Sequence, residues 1–365
     1  MRTIFYPLLL LLVACYSTKE KGETTRVVCD ALGRSVALSD SVDRIICIRS
    51  SAIRLVTYAG GAPFICGIEE QEQRENHEFT HLFAHPELAE HPVIGPRMGG
   101  DPELMMLTKP DLIFMGSTTR GEADELQQHT GIPVFVVEAG DLGARRSVFY
   151  KSLRQIGEVL HTKMEVERLI HFIEMQLEEL QRRITGIEHA KRVYVGAISY
   201  RGRKGLTSTD PYYAALEFLG VDNVALQMDT TDISPIVGAY IDWEQLLEWN
   251  PELIFVDAGG WSLVKQEFQS RPEIFQLLIA YRTQQIHLLW PYNNYHSNFE
   301  VMLLNAWYIG KVLFPEQFAD ISMSEKTDEI MAYFVGDTIA TDLEKCWGNY
   351  RNLFEELNGK DHRTI

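Results

Sequence analysis

The chain has 365 residues, 45% of them apolar and 23% charged, the balance of a globular protein able to bury a sizeable core in one to three domains. A formal charge of −17 argues against a nucleic-acid partner, because neutralising a phosphate backbone requires clustered cations. Solubility is sufficient reason for that charge.

In chain order, the first residues read as a processing signal. Met1-Arg2 is a short cationic start, Ile4–Val13 an apolar run too short to span a bilayer, and Leu12-Val13-Ala14-Cys15 a bacterial lipobox. The expected mature chain begins at Cys15, lipidated with acyl chains such as palmitate and held on a membrane face. Residues 16–25 are polar and charged, and read as a tether. The other cysteines, Cys29, Cys47, Cys66 and Cys346, have no metal spacing; Cys47 and Cys66 are expected to be buried thiols rather than a bridge.

Arg26–Leu38 reads as a hairpin turning at Gly33, Arg44–Ile48 and Phe64–Ile68 as buried strands, and Ser50–Ala59 as the helix between them. Residues 69–92 are polar and rich in histidine, without a clear core face. Asp101–Met115, DPELMMLTKPDLIFM, is an amphipathic helix capped by Asp101 with Pro102 at its first position, then a turn and a buried strand. A helix over Glu122–His129 and a strand over Ile132–Val137 follow. Val148–Leu160 is helical. Lys163–Arg183 carries an apolar stripe (Val166, Leu169, Ile170, Ile173, Leu177, Leu180) with no glycine or proline, so it reads as a stiff strut.

After the strut the pattern repeats. Asp242–Val256, DWEQLLEWNPELIFV, answers Asp101–Met115, and Arg192–Val195 answers Arg44–Cys47. Arg44 to Arg192 is 148 positions, whereas Gly60 to Gly220 is 160, so the second half gains 12 residues, Ser199–Asp210 (SYRGRKGLTSTD). Strands alternating with helices imply two parallel α/β lobes, with ligand bound beyond the carboxyl ends of the strands. The shared Glu103 and Glu244 are helix-start residues, favourable near the positive end of the helix dipole.

The expected cleft loops are 49–51, 116–120, 199–210, 258–261 and 290–298. They supply cations (Arg201, Arg203, Lys204), rings (Tyr200, Trp261, Trp290, Tyr292, Tyr295), hydrogen-bonding groups led by Ser50, and a metal-ligand candidate, His296. Cations beside aromatics suit a bulky anionic ligand with a planar or chelate body. A competing pattern is His77–His81, HEFTH, which matches the H-E-x-x-H of zinc hydrolases, with His77 and His81 as ligands and Glu78 as base. A metal-ion site on His77, His81 and His85 is a third possibility.

The lipobox, the opening CDALGRSVALSDSVDRIICI, the strands TKPDLIFMG and GIPVFVVE and the late copy NPELIFVD together resemble the substrate-binding lipoproteins of ABC importers, in the class III group that takes iron-siderophores, haem and cobalamin. The resemblance covers about residues 26–318. It implies an α/β fold of two Rossmann-like lobes joined by one long helix, with the ligand cleft between them: N-lobe 26–147, linker helix 163–183, C-lobe 190–318, then a helical extension over 319–365. It implies an extracytoplasmic, monomeric binding protein, not an enzyme, with no intrinsic cofactor, delivering an iron complex, haem or a corrinoid. Permease docking is implied at Glu122 in the N-lobe and at Glu267 in the C-lobe. Basic residues (Arg201, Arg203, Lys204) would meet an anionic siderophore; Tyr292, Tyr295, His296 or Met98 would meet haem iron; Trp261 and Trp290 would wall a corrinoid.

Overall fold

The computed structural model describes residues 25–73, 79–187, 191–199, 202–228, 239–293 and 297–359. A hairpin of β1 (Thr25–Cys29) and β2 (Ser35–Ser39) opens the described chain, its antiparallel register running from Thr25↔Ser39 to Cys29↔Ser35. The first lobe follows: β3 (Ile45–Ile48), α1 (Ala52–Tyr58), β4 (Ile65–Gly67), α2 (Thr80–Ala84), α3 (Pro102–Thr108), β5 (Leu112–Gly116), α4 (Arg120–Thr130), β6 (Val134–Val137) and α5 (Arg146–Val159). Its four strands are parallel in the order β4-β3-β5-β6. All four are buried on both faces, which explains their continuous apolar runs.

The strut is α6 (Lys163–Ile184), 22 residues long. Every residue of its expected stripe is buried, with Phe172 and Gln176 added. The second lobe comprises β7 (Val193–Gly196), β8 (Ser208–Thr209), α7 (Ala214–Glu217), β9 (Ala239–Tyr240), α8 (Trp243–Trp249), β10 (Leu253–Asp257), α9 (Trp261–Ser270), α10 (Pro272–Leu277), α11 (Ile279–Arg282), β11 (Ile286–Leu289) and α12 (Phe299–Leu313). Its sheet order is β11-β10-β7-β8-β9. Here the two halves differ: β8 pairs antiparallel with β7, at Gly196↔Thr209. The return limb of the 12-residue insertion is therefore a sheet strand and not open loop. It takes the flank of β7 that β4 takes beside β3.

The repeat extends to backbone detail. Asp101 caps α3 and Asp242 caps α8 by accepting amide N–H groups of the first turn. Lys109 and Asn250, 141 positions apart, end these helices with left-handed φ of 49° and 42°. Asp111 Oδ2 accepts from the Arg44 amide at 2.8 Å, and Glu252 Oε2 accepts from the Arg192 amide at 3.2 Å. The copies are thus scaffold, in which a short helix is stopped and the next strand is pinned to the lobe's first.

One apolar core runs through both lobes, combining the inner faces of the two sheets with α6 and α12; each sheet's outer face has a core of its own. Cys47 faces the shared core and Cys66 the outer one, so neighbouring strands carry them on opposite sides and both are free thiols. The sequence reading missed α12, which is buried nearly all round and so lacks the polar face that marks a surface helix. It also read 69–92 as without a core face, whereas Phe79, Leu82 and Leu88 are buried there.

Beyond α12 lie α13 (Met323–Phe334), α14 (Ala340–Trp347) and α15 (Phe354–Leu357). α13 packs on α12, α6 and α1, touching both lobes and the strut. The segment before α15 lies along the edge of β11: the Leu288 amide donates to Arg351 O and the Leu353 amide to Ile286 O, both at 2.8 Å. Covering that edge removes a row of unpaired backbone groups.

Candidate functional site

The carboxyl ends of the strands are where the backbone leaves ordinary conformations. Arg49 follows β3 with φ 65°, Ser117 follows β5 with φ 40°, and Ala197 follows β7 with φ 64°. Arg49 and Ala197 are 148 positions apart, the same offset as the first strands. Non-glycine residues at positive φ are uncommon and collect at functional turns. Two glycines make these turns possible. A Cβ on Gly116 would lie 2.1 Å from Ser50 O, and one on Gly260 would lie 2.2 Å from Lys204 O. Only a bare backbone fits at either place.

In the N-lobe, Ser50 is half-buried and its hydroxyl lies 3.1 Å from that of Ser117. Buried Glu69 accepts the amides of both Arg49 (3.1 Å) and Gly99 (2.8 Å). The Arg49 guanidinium reaches Glu122, with Nη2 3.0 Å from Oε1. Glu122 also accepts from the Thr119 amide and from the hydroxyls of Thr118 and Thr119. The Arg49 guanidinium, then these Thr119 and Thr118 donors, pull the Glu122 carboxyl down to about 2. Glu122 is half-exposed, as an N-lobe surface carboxylate should be, but it is held by Arg49. Met98 is exposed nearby in chain, at φ 75°.

In the C-lobe, Arg203 is exposed and Lys204 half-exposed, its Nζ 5.6 Å from the centre of the Tyr240 ring. Their loop is anchored at its base: the Tyr194 hydroxyl donates to Leu206 O at 2.9 Å, and the Leu206 amide donates to Glu267 at 2.9 Å. The Asn293 amide group donates to Ser199 O at 2.7 Å, tying the loop after β11 to the insertion.

Three expectations change. Trp261, Trp290 and Tyr292 are only 6%, 1% and 5% exposed, so each packs into the core instead of standing open to solvent. Trp261 packs in the outer core beneath Lys265; Trp290 stacks on Tyr350; Tyr292 donates its hydroxyl to Asp210 at 2.7 Å. Their apolar surfaces gain more from the sheet than from a solvent-filled cleft. Glu267 is half-buried and committed to the Leu206 amide, which sets it apart from a free surface carboxylate. Of the HEFTH pattern the structure describes Phe79, which is extended (φ −103°, ψ 121°), and Thr80 and His81, which open α2. His81 is buried and stacked on Phe79. Among the described residues no three His, Cys, Asp or Glu side chains are grouped to hold a metal. Tyr200, Arg201, Tyr295, His296, His77, Glu78 and Cys15 lie outside the described residues.

A polar seam that the sequence did not reveal lies between the lobes. Buried Arg54 of α1 donates to Ser297 O at 3.4 Å. Buried Glu300 of α12 accepts from the hydroxyls of Tyr58 in α1 and Thr80 in α2. Glu72, buried in the N-lobe, is raised to about 7 by loss of hydration, opposed by the Gln71 amide and reinforced by Glu69. Since the folded-state value lies above the ordinary 4.5, the stability linked to this group is present below pH 4.5 and lost as pH rises through about 7. Glu72→Gln is therefore expected to remove a stability loss of up to about 3 kcal/mol between roughly pH 5 and 8. Urea unfolding of both proteins at the two ends of that window measures it; parallel pH dependences would refute the assignment.

A groove of about 640 Å³ runs along α6, lined by Leu142, Arg146, Leu177, Gln181, Glu217 and Phe218 among others. It contains none of the expected ligand residues.

Residues 45–292 match the family described as periplasmic binding protein. The molybdate-binding protein MolA of Haemophilus influenzae is 21% identical over 348 residues, covering 89% of this chain and 95% of its own. The molybdate-bound structure of MolA superposes with a TM-score of 0.65 at 20% identity, over 86% of this chain and 98% of that one. A periplasmic solute binding protein from Veillonella parvula gives a TM-score of 0.68 at 17% identity, over 89% and 97%. An ABC transporter solute binding protein from Sulfurospirillum deleyianum gives 0.66 at 17%, over 88% and 98%. These matches are to solute-binding proteins and not to catalysts, and their architecture is the two-lobed α/β fold with a long connecting helix seen here. The chain belongs to the periplasmic binding protein family, as an extracytoplasmic solute-binding protein of the ABC-transporter kind.

Proposed function

We propose that this protein captures an anionic, metal-containing solute at the carboxyl ends of its two sheets and delivers it to an ABC importer. The observation that carries the reading is the cationic tip of the C-lobe insertion, Arg203 and Lys204, at a strand-end loop of a chain with a net charge of −17. Arg201 and Tyr200 of the same insertion are proposed to join them, with Tyr295 and His296 from the loop after β11 and Ser50 from the N-lobe. With Trp261, Trp290 and Tyr292 in the core, the case for a large planar ligand such as haem or a corrinoid rests on Tyr200, Tyr295, His296 and exposed Met98. A compact oxyanion is favoured by the neighbouring hydroxyls of Ser50 and Ser117, and molybdate, the ligand named for MolA, is the first candidate. A ferric chelate is the second, because cationic side chains at an open tip suit a bulky anion.

The same reading includes a lipid anchor at Cys15, action as a monomer, and docking on permease subunits through half-exposed Glu122. Glu267 is the weaker docking candidate, since its carboxylate already holds the insertion loop.

Calorimetric titration of the purified protein with molybdate, ferric tris-catecholate, haem and cobalamin tests the proposal. Binding of molybdate or the ferric chelate is expected, weakened at least about 10-fold when both Arg203 and Lys204 are changed to Ala. Binding of cobalamin alone would overturn it.

A further inference from the structure

Arg54 is a buried cation where the two lobes meet, only 3% exposed. It lies one helical turn before Tyr58 in α1, so the two side chains share a face of that helix. That face meets one short stretch of the C-lobe. Arg54 Nη1 donates to Ser297 O at 3.4 Å, and the Tyr58 hydroxyl donates to Glu300 in the first turn of α12. Burial raises the Glu72 carboxyl and the Tyr58 phenol, and the charge of Arg54 opposes the rise in both. A cation out of water needs acceptors that stay in place, and one acceptor of this cation is supplied by the other lobe.

Ser297 belongs to the loop after β11, which is closed at its neck. The Asn298 amide donates to Tyr292 O at 2.6 Å, the Asn298 side chain donates to Pro291 O at 3.2 Å, and Asn293 bridges antiparallel to Ser297. The neck in turn grips both ends of the C-lobe insertion. Asn293 Nδ2 donates to Ser199 O and the Tyr292 hydroxyl donates to Asp210 Oδ2, each at 2.7 Å. Ser199 and Asp210 are the first and last residues of the insertion whose tip carries Arg203 and Lys204. A series of polar contacts therefore runs from α1 in the N-lobe, through Ser297 and the neck, to the base of the cationic tip.

We propose that Arg54 is a positioning residue for solute capture: from the N-lobe it sets the neck of the loop after β11, and through that neck the placement of the Arg203–Lys204 tip. The inference deepens the anionic-solute reading and rests on it for the identity of the ligand. Arg54 is too buried to touch solute, so its effect is transmitted. A guanidinium suits the place because its donors diverge in one plane and serve several acceptors at once, which a lysine on a flexible stem does not do. The neck is then biased from both sides. By linkage, an anion that fixes the insertion also firms the contact between the lobes, and a firm contact strengthens the hold on the anion to the same degree.

The test is a double-mutant cycle between Arg54→Gln and Asn293→Ala on the full-length chain, titrated with sodium molybdate and with ferric tris-catecholate. Each single change is expected to weaken binding about 5- to 10-fold, and the double variant no more than about twofold further, because both cut the same path. Arg54→Lys, which keeps the charge but loses the fork, should fall between wild type and Arg54→Gln. Saturating anion should slow hydrogen exchange of the Leu55 and Ala59 amides of α1 at least about threefold in wild type, and not in Arg54→Gln. Thermal unfolding separates loss of fold from loss of positioning, with Arg54→Lys the readout if Arg54→Gln fails to fold. If wild type binds either anion while the two losses simply add, or the slowing in α1 survives in Arg54→Gln, the positioning role is refuted and the anionic reading stands. If wild type binds neither anion, the anionic reading falls, and the role is judged without solute. The Asn298 amide should then exchange at least about threefold faster in Arg54→Gln, and an unchanged rate would refute the role as well.

Discussion

Glu300→Ala is expected to lower the stability of the folded chain by roughly 3–5 kcal/mol, since each orphaned buried donor costs about 1–3 kcal/mol and a cavity adds to it. Glu300 is fully buried in α12, a helix of the C-lobe, and accepts from two hydroxyls on N-lobe helices, Tyr58 and Thr80. Burial, with Glu300 beside it, pushes the Tyr58 phenol well above its ordinary range, so it stays protonated as a donor. Removing the carboxyl takes from both buried hydroxyls the acceptor they share, while the Tyr58 ring stays packed against Phe299 and Phe334. Because the bonds cross between lobes, the loss should also loosen their relative position. Glu300→Gln, which retains one acceptor, is expected to cost about half as much. Urea unfolding of Glu300→Ala, Tyr58→Phe and the double variant gives the coupling directly. A coupling below about 0.5 kcal/mol would show that the seam does not join the lobes energetically.

The second large effect is expected at the glycines beneath the strand-end turns. Gly260→Ala places a Cβ 2.2 Å from Lys204 O and 2.6 Å from Ala197 O, and Gly116→Ala places one 2.1 Å from Ser50 O. The obstructing atoms are backbone, so a turn must move, at a cost of about 1–3 kcal/mol each. Gly260→Ala shifts the base of the Arg203–Lys204 tip, and Gly116→Ala shifts the Arg49–Ser51 turn. Each is expected to weaken molybdate or ferric-chelate binding about 10-fold or more, since displacements of about 1 Å are enough to spoil a polar site. Gly121→Ala in α4 is the control: its Cβ meets nothing within 4 Å, so it should leave affinity unchanged and raise stability by about 0.5–1 kcal/mol. Equal affinities across all three variants would place the solute elsewhere.

The two lobes, the strut and the paired capped helices were legible because each rests on local chemistry. An Asp that accepts its own helix's first amides needs no distant partner, and neither does a helix stopped by Lys109 or Asn250 in the left-handed region. A stripe at helical spacing marks the buried face of α6 before any neighbour is known. The 12-residue offset correctly set the insertion at the carboxyl end of β7.

The residues assigned to the cleft were less legible, because burial is decided by packing and not by position in the chain. Trp261, Trp290 and Tyr292 stand at strand ends as the sequence required, yet each turns inward to cover the sheet. Nothing local distinguishes an inward ring from an outward one. Arg49 lay in an expected cleft loop, but its tie to Glu122 spans 73 positions and became visible only when β3 and β5 paired. The Glu300 seam joins residues more than 200 positions apart through a helix without an amphipathic pattern. By itself the sequence determined the repeat, the architecture and the strand-end loops, all carried by short-range hydrogen bonds and periodic burial. Only the tertiary structure decided which of those loops' side chains are exposed and which charges meet, because those depend on surfaces brought together by distant parts of the chain.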